Sequence, residues 1–355
     1  MGTGDTHELG ATDTNPDAGS ENQATPAKAP KAMALTVGLN TLDHKHYKGS
    51  FETLQFALKD ARAIGAIAAS RGFQVHELLK HEATREAVLA AIDNASATLQ
   101  KGDIFLLNFA GHGSQVPDTN GDETDHMDEA WCLYDCMLID DELGLHLSAF
   151  AAGVRVVVIS DSCCGGTMLC AEPLPVLPAR RLPPLGAEAD RKRPKADVAG
   201  HPSVFGSATD SHLDFPITER LQASATTAGT PPTSRDAVLR SRSLPMDVAT
   251  ATYAANSKLY DAITASVSSS TCTRGPGTAL LLAACGDAQE AHEGTSHGTF
   301  TGALITTWNK GAFRGTYYDF LQAIAAQITW YQTPQYTWLY DKQDAALADQ
   351  EPFTV

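Results

Sequence analysis

The sequence lacks any apolar run near the 18 to 20 residues that would span a bilayer, so a membrane-embedded chain is not expected. Its N-terminus, MGTGDTHELGATDTNPDAGS, has neither the basic start nor the apolar stretch of an export signal. Cysteine is sparse and odd in number, seven in 355 residues, which argues against a disulfide framework and for reduced thiols in a cytosol. Basic residues are short as well: 26 Lys plus Arg stand against 42 Asp plus Glu, a formal charge of −16. Phosphate backbones and anionic lipid surfaces are bound by clustered Lys and Arg, so neither nucleic acid nor membrane is an expected partner. The chain does have ordinary globular composition, 43% hydrophobic and 19% charged. Its length suits one large domain or two small ones with a core that needs no staple.

Residues 1–31 are polar, rich in Gly, Thr, Asp, Pro and Ala, and read as a disordered tail. Strand signals follow at 32–40, 73–79, 103–109, 154–160 and 279–284, with a last one at 336–340. The runs DIFLLNF and VRVVVIS are almost wholly apolar, as strands covered on both faces should be. Helical spacing of apolar residues marks 51–71, 84–100, 300–308 and 317–328. Strands alternating with helices predict a mostly parallel sheet covered on both faces, in one α/β domain. From 171 to 249 the composition turns to Pro, Ser, Thr and Arg with no long periodic element, an insertion that divides the domain into 32–170 and 250–355.

Sites in parallel sheets gather beyond the carboxyl ends of the strands. That rule selects Ala110-Gly111-His112-Gly113-Ser114 after one apolar strand and Asp161-Ser162-Cys163-Cys164-Gly165-Gly166 after another. A thiol and an imidazole at strand ends form a nucleophile and its acid/base partner, and glycines there free N–H groups for an oxyanion. Either element alone is weak, because Gly-His-Gly is common and most buried cysteines only pack.

These segments resemble those of metacaspases, the caspase-like cysteine peptidases. Phe109 to Asp118 with Asn120-Gly121-Asp122-Glu123 is similar to the family's histidine segment, and Asp161-Ser162-Cys163 to its nucleophile motif. Ala284-Cys285-Gly286-Asp287-Ala288-Gln289 and Gln332-Thr333-Pro334-Gln335 are similar to motifs of its small-subunit part. The sequence departs from the family at Cys164-Gly165-Gly166, where His-Ser-Gly is usual, and at Ala110, where serine is common. The resemblance implies a caspase-like three-layer α/β/α sandwich on a mostly parallel six-stranded sheet. It implies His112 as general acid/base, Cys163 as nucleophile, and the N–H groups of Gly113 and Cys163 as oxyanion donors. No third triad member is assigned. Cleavage after Arg or Lys is implied, with Asp60 and Asp161 as the pocket acids, and protein substrates with exposed Arg or Lys.

Between Asp103 and Leu145 lie eleven acidic residues and no Lys or Arg. Hard oxygen donors in that density suit Ca²⁺, although EF-hand spacing is missing. The resemblance implies an activating calcium at Asp128, Asp140 and Asp141. Its further ligand falls near Cys170, a poor one, for which Glu172 can substitute. Cys132 and Cys136 have spacing that zinc could use but no second pair follows, so they read as structural thiols. No organic cofactor is expected. The insertion carries Arg180, Arg181, Arg191, Lys192, Arg193 and Lys195, then Arg220, Arg235, Arg240 and Arg242. An exposed basic loop is a substrate for an Arg/Lys peptidase, so cleavage there, by the chain itself or by an upstream protease, is the expected activation step. The expectation is a monomeric cytoplasmic endopeptidase. The alternatives are a caspase-like binding module of weak or no activity, and a same-fold peptidase with a different P1 preference.

Overall fold

The computed structural model describes Met1 and residues 29–118, 126–163, 240–269, 276–328, 331–339 and 343–355. A six-stranded sheet in the order β2-β1-β3-β7-β8-β9 forms the centre. Its strands are β1 (Ala32–Gly38), β2 (Gln74–Leu79), β3 (Ile104–Ala110), β7 (Arg155–Asp161), β8 (Ala279–Ala283) and β9 (Gln335–Trp338). All neighbours pair in parallel except β9, which runs antiparallel to β8. Successive side chains of a strand point to opposite faces, and the two cores divide accordingly. Leu35, Val37, Phe105, Leu107, Val156 and Val158 enter one cluster, while Ala34, Leu106, Val157, Ile159, Leu280 and Leu282 enter the other. This is the expected mostly parallel three-layer sandwich.

The first helix, α1 (Ala57–Ser70), buries Ala57, Ala61, Ile64 and Ala68 and ends before Gly72, whose φ of +90° suits glycine. It starts six residues later than apolar spacing suggests (57 against 51). The Glu293 carboxylate accepts the N–H groups of Gln55 and Phe56 at 2.7–2.9 Å, and Asn40 Oδ1 accepts that of Leu58 at 3.0 Å. Distant side chains thus satisfy N–H groups that open a helix, and residues 51–56 stay outside it. Helix α2 (Arg85–Thr98) is capped by Thr84, whose hydroxyl accepts from Ala87 N at 3.2 Å.

Between β3 and β7 the periodicity of the sequence reveals no element, yet the chain forms a small antiparallel sheet of β4 (Gly113–Pro117), β5 (Met127–Cys132) and β6 (Met137–Ile139). Helix α3 (Asp140–Ser148) follows at once. After the undescribed stretch 164–239 come α4 (Met246–Ala255) and α5 (Ser257–Ser269), then α6 (Thr299–Trp308), α7 (Tyr317–Ala325) and the short α8 (Ala345–Ala348). Among the described residues no helix is long and apolar enough to cross a membrane.

Candidate active site

Strands β3 and β7 lie side by side in register, Ala110 opposite Asp161. His112 therefore follows one strand end and Cys163 its neighbour, and both residues are about 1% exposed. Gly113 and Cys163 meet through their backbones: a Cβ on Gly113 would lie 2.9 Å from the Cys163 carbonyl carbon, so no larger residue fits there. His112 Nε2 is bonded to the carbonyl oxygen of Glu52 at 2.8 Å. That leaves Nδ1 buried with no hydrogen-bond partner. Burial pushes the ring's pKa down; the Glu52 carbonyl opposes this, the charge of Arg242 adds to it, and the Ser243 backbone opposes it. The result is a neutral imidazole with one nitrogen oriented by a main-chain carbonyl and the other free to take a proton. The Cys163 thiol lies against Ala291, accepting its N–H at 3.0 Å and reaching its carbonyl at 3.4 Å.

Asp60 and Asp161 are both fully buried, and the guanidinium of Arg242, also fully buried, lies between them. Arg242 Nη1 is 3.1 Å from Asp161 Oδ2 and donates to the Asp161 carbonyl at 2.9 Å, while Nη2 pairs with Asp60 Oδ2. Glu293, 3.8 Å from Nη2, is a third acid on the same cation. Burial works against charge on Arg242, but Asp161 and Asp60 outweigh it and hold the guanidinium above its ordinary range. Burial also raises the pKa of Asp161, against the pull of Arg242 and with the push of Asp60. The N-terminus of α6 completes the pocket. Gly298 N donates to Asp60 Oδ2 at 2.9 Å, and Thr301 donates its N–H and hydroxyl to Asp161 Oδ2 at 3.1 and 2.5 Å. His297 Nδ1 is 2.6 Å from Asp60 Oδ1. A Cβ on Gly298 would come within 2.7 Å of Arg242 Cζ, so glycine leaves the room that the cation fills.

The backbone around Arg242 is laid out as an added strand. Arg242 N donates to Ala291 O at 2.8 Å, and Glu293 N donates to Arg240 O at 2.9 Å. The Arg242 carbonyl accepts from Gly113 N at 2.8 Å and from Cys163 N at 3.5 Å. Beyond it, Leu244 N donates to Gly113 O at 2.8 Å. A cleft of about 600 Å³ runs beside this segment, with Glu52, Gln115, Ser241 and Ser243 in its walls.

The acids assigned to calcium lie apart from this pocket, on β5 and at the start of α3. Asp128 and Asp140 are each 2% exposed, while Asp141 is half-buried. Burial, then the charges of Glu129, Asp128 and Asp141, push the Asp140 pKa well up. Glu142 is committed elsewhere, to Arg85. Among the described residues no three His, Cys, Asp or Glu side chains are disposed to hold a metal ion. Cys132 and Cys136 are buried and in no disulfide. Cys164, Cys170, Glu172 and the candidate processing residues Arg180, Arg181, Arg191, Lys192, Arg193 and Lys195 lie outside the described residues.

Sequence reasoning did not find the Glu52 carbonyl, Glu293, His297, Gly298 or Thr301. Glu293 follows closely on the Cys285-Gly286-Asp287 motif, and Gly298 opens an apolar helix, so proximity to a motif was the available signal. A carbonyl oxygen carries no signal at all, because every residue has one. Arg242 was counted only as one basic residue among ten.

A parallel sheet that offers a thiol and an imidazole from adjacent strand ends is the arrangement of the caspase-like α/β fold. The chain belongs to the caspase-domain family of C14 peptidases, whose profile, described as Caspase domain, matches residues 33–344. It is 29% identical over 154 residues to Metacaspase-1 of Cryptococcus neoformans, covering 39% of this chain and 32% of that protein. It is 30% identical over 159 residues to Metacaspase-3 of Arabidopsis thaliana, covering 41% and 42% respectively. These matches thus span a third to two fifths of the curated relatives' own length. Among solved structures, protein GSU0716 from Geobacter sulfurreducens is 35% identical, with a TM-score of 0.65 over 92% of this chain and 99% of that one.

Proposed function

We propose that the protein is a cysteine endopeptidase that cleaves after Arg or Lys, and that it holds its own activation segment in the active site. The observation that carries this reading is Arg242. Its side chain fills a pocket built from three carboxylates, and its carbonyl rests on the two backbone N–H groups expected to hold an oxyanion. A buried cation is tolerated only where charge is matched at close range. A pocket so matched to one guanidinium therefore selects basic P1 side chains. Lysine reaches the same acids as a point charge, without the fork that spans Asp60 and Asp161.

The chemistry follows from the placement. The Cys163 thiolate attacks the P1 carbonyl while Gly113 N and Cys163 N stabilise the oxyanion. His112, oriented through Nε2 by Glu52, takes and returns the proton at Nδ1 and so protonates the leaving amine. Water then hydrolyses the thioester. In the uncut chain the Arg242–Ser243 bond occupies this position, so it is the proposed activation bond within the 171–245 stretch. The uncut segment blocks other protein substrates. The test is intact mass of wild type and Cys163→Ala after incubation. Wild type is expected to yield fragments 1–242 and 243–355, and Cys163→Ala to stay whole. Cutting of Cys163→Ala at the same bond would mean that another protease acts there.

We also propose calcium as an activator to which Asp128, Asp140 and Asp141 contribute oxygens as part of a larger ligand set, since these three side chains are not by themselves disposed around one ion. The support is chemical: buried carboxylates whose mutual repulsion raises Asp140 lower their free energy beside a divalent cation. The described residues hold no complete ligand set, so ligands from outside them are required. The residues would bind and neutralise; no step of the peptide chemistry runs through the ion. Calcium is expected to raise the melting temperature of Cys163→Ala relative to chelator, and Asp140→Asn to abolish that rise. An unchanged melting temperature would remove calcium from the reading.

A further inference from the structure

The Arg242–Ser243 segment is held on both sides of its central bond. On the acyl side Arg242 is fixed by its ion pairs and by Ala291. The amine side has its own anchor. Of the two bonds that bridge Ser243 to Gly113, Gly113 N to Arg242 O stays with the acyl part and Leu244 N to Gly113 O stays with the amine. Leu244 donates to Gly113 O and is only 2% exposed, packed in the same core cluster as Val116, Val248 and Ala249. Helix α4 starts two residues later at Met246, and Thr252 on it accepts the N–H of Lys48 at 2.9 Å. Breaking the bond therefore need not release the new amine.

We infer that the protein also makes peptide bonds at this site: it reseals its own Arg242–Ser243 bond and, once cut, transfers acyl groups from other Arg substrates onto its own Ser243 amine. The inference rests on the peptidase reading given above. The atoms balance without any co-reactant. In cutting, the Cys163 sulfur bonds to the Arg242 carbonyl carbon, the C–N bond breaks, and His112 gives its proton to the Ser243 nitrogen. In resealing, the neutral Ser243 amine attacks the thioester, its proton passes to His112, and the sulfur leaves as thiolate. Hydrolysis is the competing path, giving a carboxylate at Arg242. A nucleophile held in line competes at effective molarities of about 10⁵ M or more, far beyond the concentration of water. An α-amine of ordinary pKa, roughly 7.7–8.0, is about one-tenth neutral at pH 7, which leaves most of that advantage. The anchored amine thus turns the segment into a slow substrate, opened and closed many times before hydrolysis makes the cut permanent.

The test uses the self-cut chain, with its two fragments together, and acetyl-Arg-Ser-Arg ethyl ester as acyl donor. Intact mass follows fragment 243–355 while released ethanol follows turnover. The expected result is a fragment heavier by one acetyl-Arg-Ser-Arg acyl group on its N-terminus, with the ratio of transfer to hydrolysis rising about 30- to 50-fold from pH 6 to pH 8 as the amine loses its proton. Leu244→Ala, which loosens the anchor, is expected to lower the ratio of transfer to hydrolysis at least tenfold and to speed net self-cutting. Ester turnover with an unmodified fragment overturns the inference while leaving the peptidase reading in place. Modification that persists after Cys163 of the self-cut chain has been blocked by alkylation overturns it as uncatalysed chemistry. A chain that hydrolyses the ester but never cuts after Arg242 overturns it too, because no Ser243 amine is then freed. Absence of ester turnover removes the peptidase reading and this inference with it.

Discussion

Arg242→Gln should stop cutting after position 242 and, in the uncut chain, raise the hydrolysis of added Arg peptides by about two to three powers of ten. The magnitude comes from what the guanidinium contributes to holding the segment. It is fully buried and shares its charge with Asp60, Asp161 and Glu293. Losing one member of such a buried network costs about 3–5 kcal/mol, and each 1.4 kcal/mol is tenfold in occupancy. The main-chain bonds of Arg242 to Ala291 and Gly113 remain in the variant, so the effect isolates the side chain. Initial rates of the uncut wild type and the uncut variant on an Arg-terminated fluorogenic peptide provide the measurement, with a melting curve to confirm the fold. Equal rates, or continued cutting after Gln at 242, would show that the segment does not occlude the site through this pocket.

Asp161→Asn should lower kcat/KM for Arg substrates by about 30-fold to several thousand-fold, the range that corresponds to removing one charge of a buried, hydrogen-bonded pair, about 2–5 kcal/mol. The substitution keeps the shape and an oxygen that accepts from Thr301, so the sheet and α6 have little reason to move. What changes is the match for a guanidinium, since Asp161 is the acid 3.1 Å from Nη1. The same variant should also cut itself more slowly, because Arg242 uses that same acid. A variant that keeps full kcat/KM on Arg peptides would place the specificity elsewhere, on Asp60 and Glu293.

Much of the fold could be read from local pattern. The runs at Ile104–Ala110 and Arg155–Asp161 have continuous apolar centres, Ile104–Leu107 and Val156–Ile159, because a central parallel strand meets side chains on both faces, and both became adjacent central strands. Helix α2 was equally legible, since its apolar residues recur at helical spacing along one face. The small sheet of β4, β5 and β6 was not. Its strands are short and carry acids such as Asp128 and Glu129, which are buried only because of what surrounds them. The start of α1 was placed too early because the groups that bond the N–H groups at its start, Asn40 and Glu293, are 18 and more than 200 residues away.

For the site, local pattern pointed to His112 and Cys163, because a reactive side chain between small residues at the end of an apolar strand is conspicuous, whereas Asp60 and Asp161 came only from the resemblance to metacaspases. Sequence alone determined the kind of fold and the kinds of chemical group available. Tertiary structure decided how they are arranged: that Asp60, a helix residue that could have faced water, is fully buried beside Asp161; that a carbonyl of Glu52 orients His112; and that one basic residue of the ten in the insertion, Arg242, lies in the carboxylate pocket. The reason is range. Periodicity and caps act between neighbours, whereas charge pairing in a low-dielectric interior and hydrogen bonds to main-chain groups join residues that only the folded chain brings together.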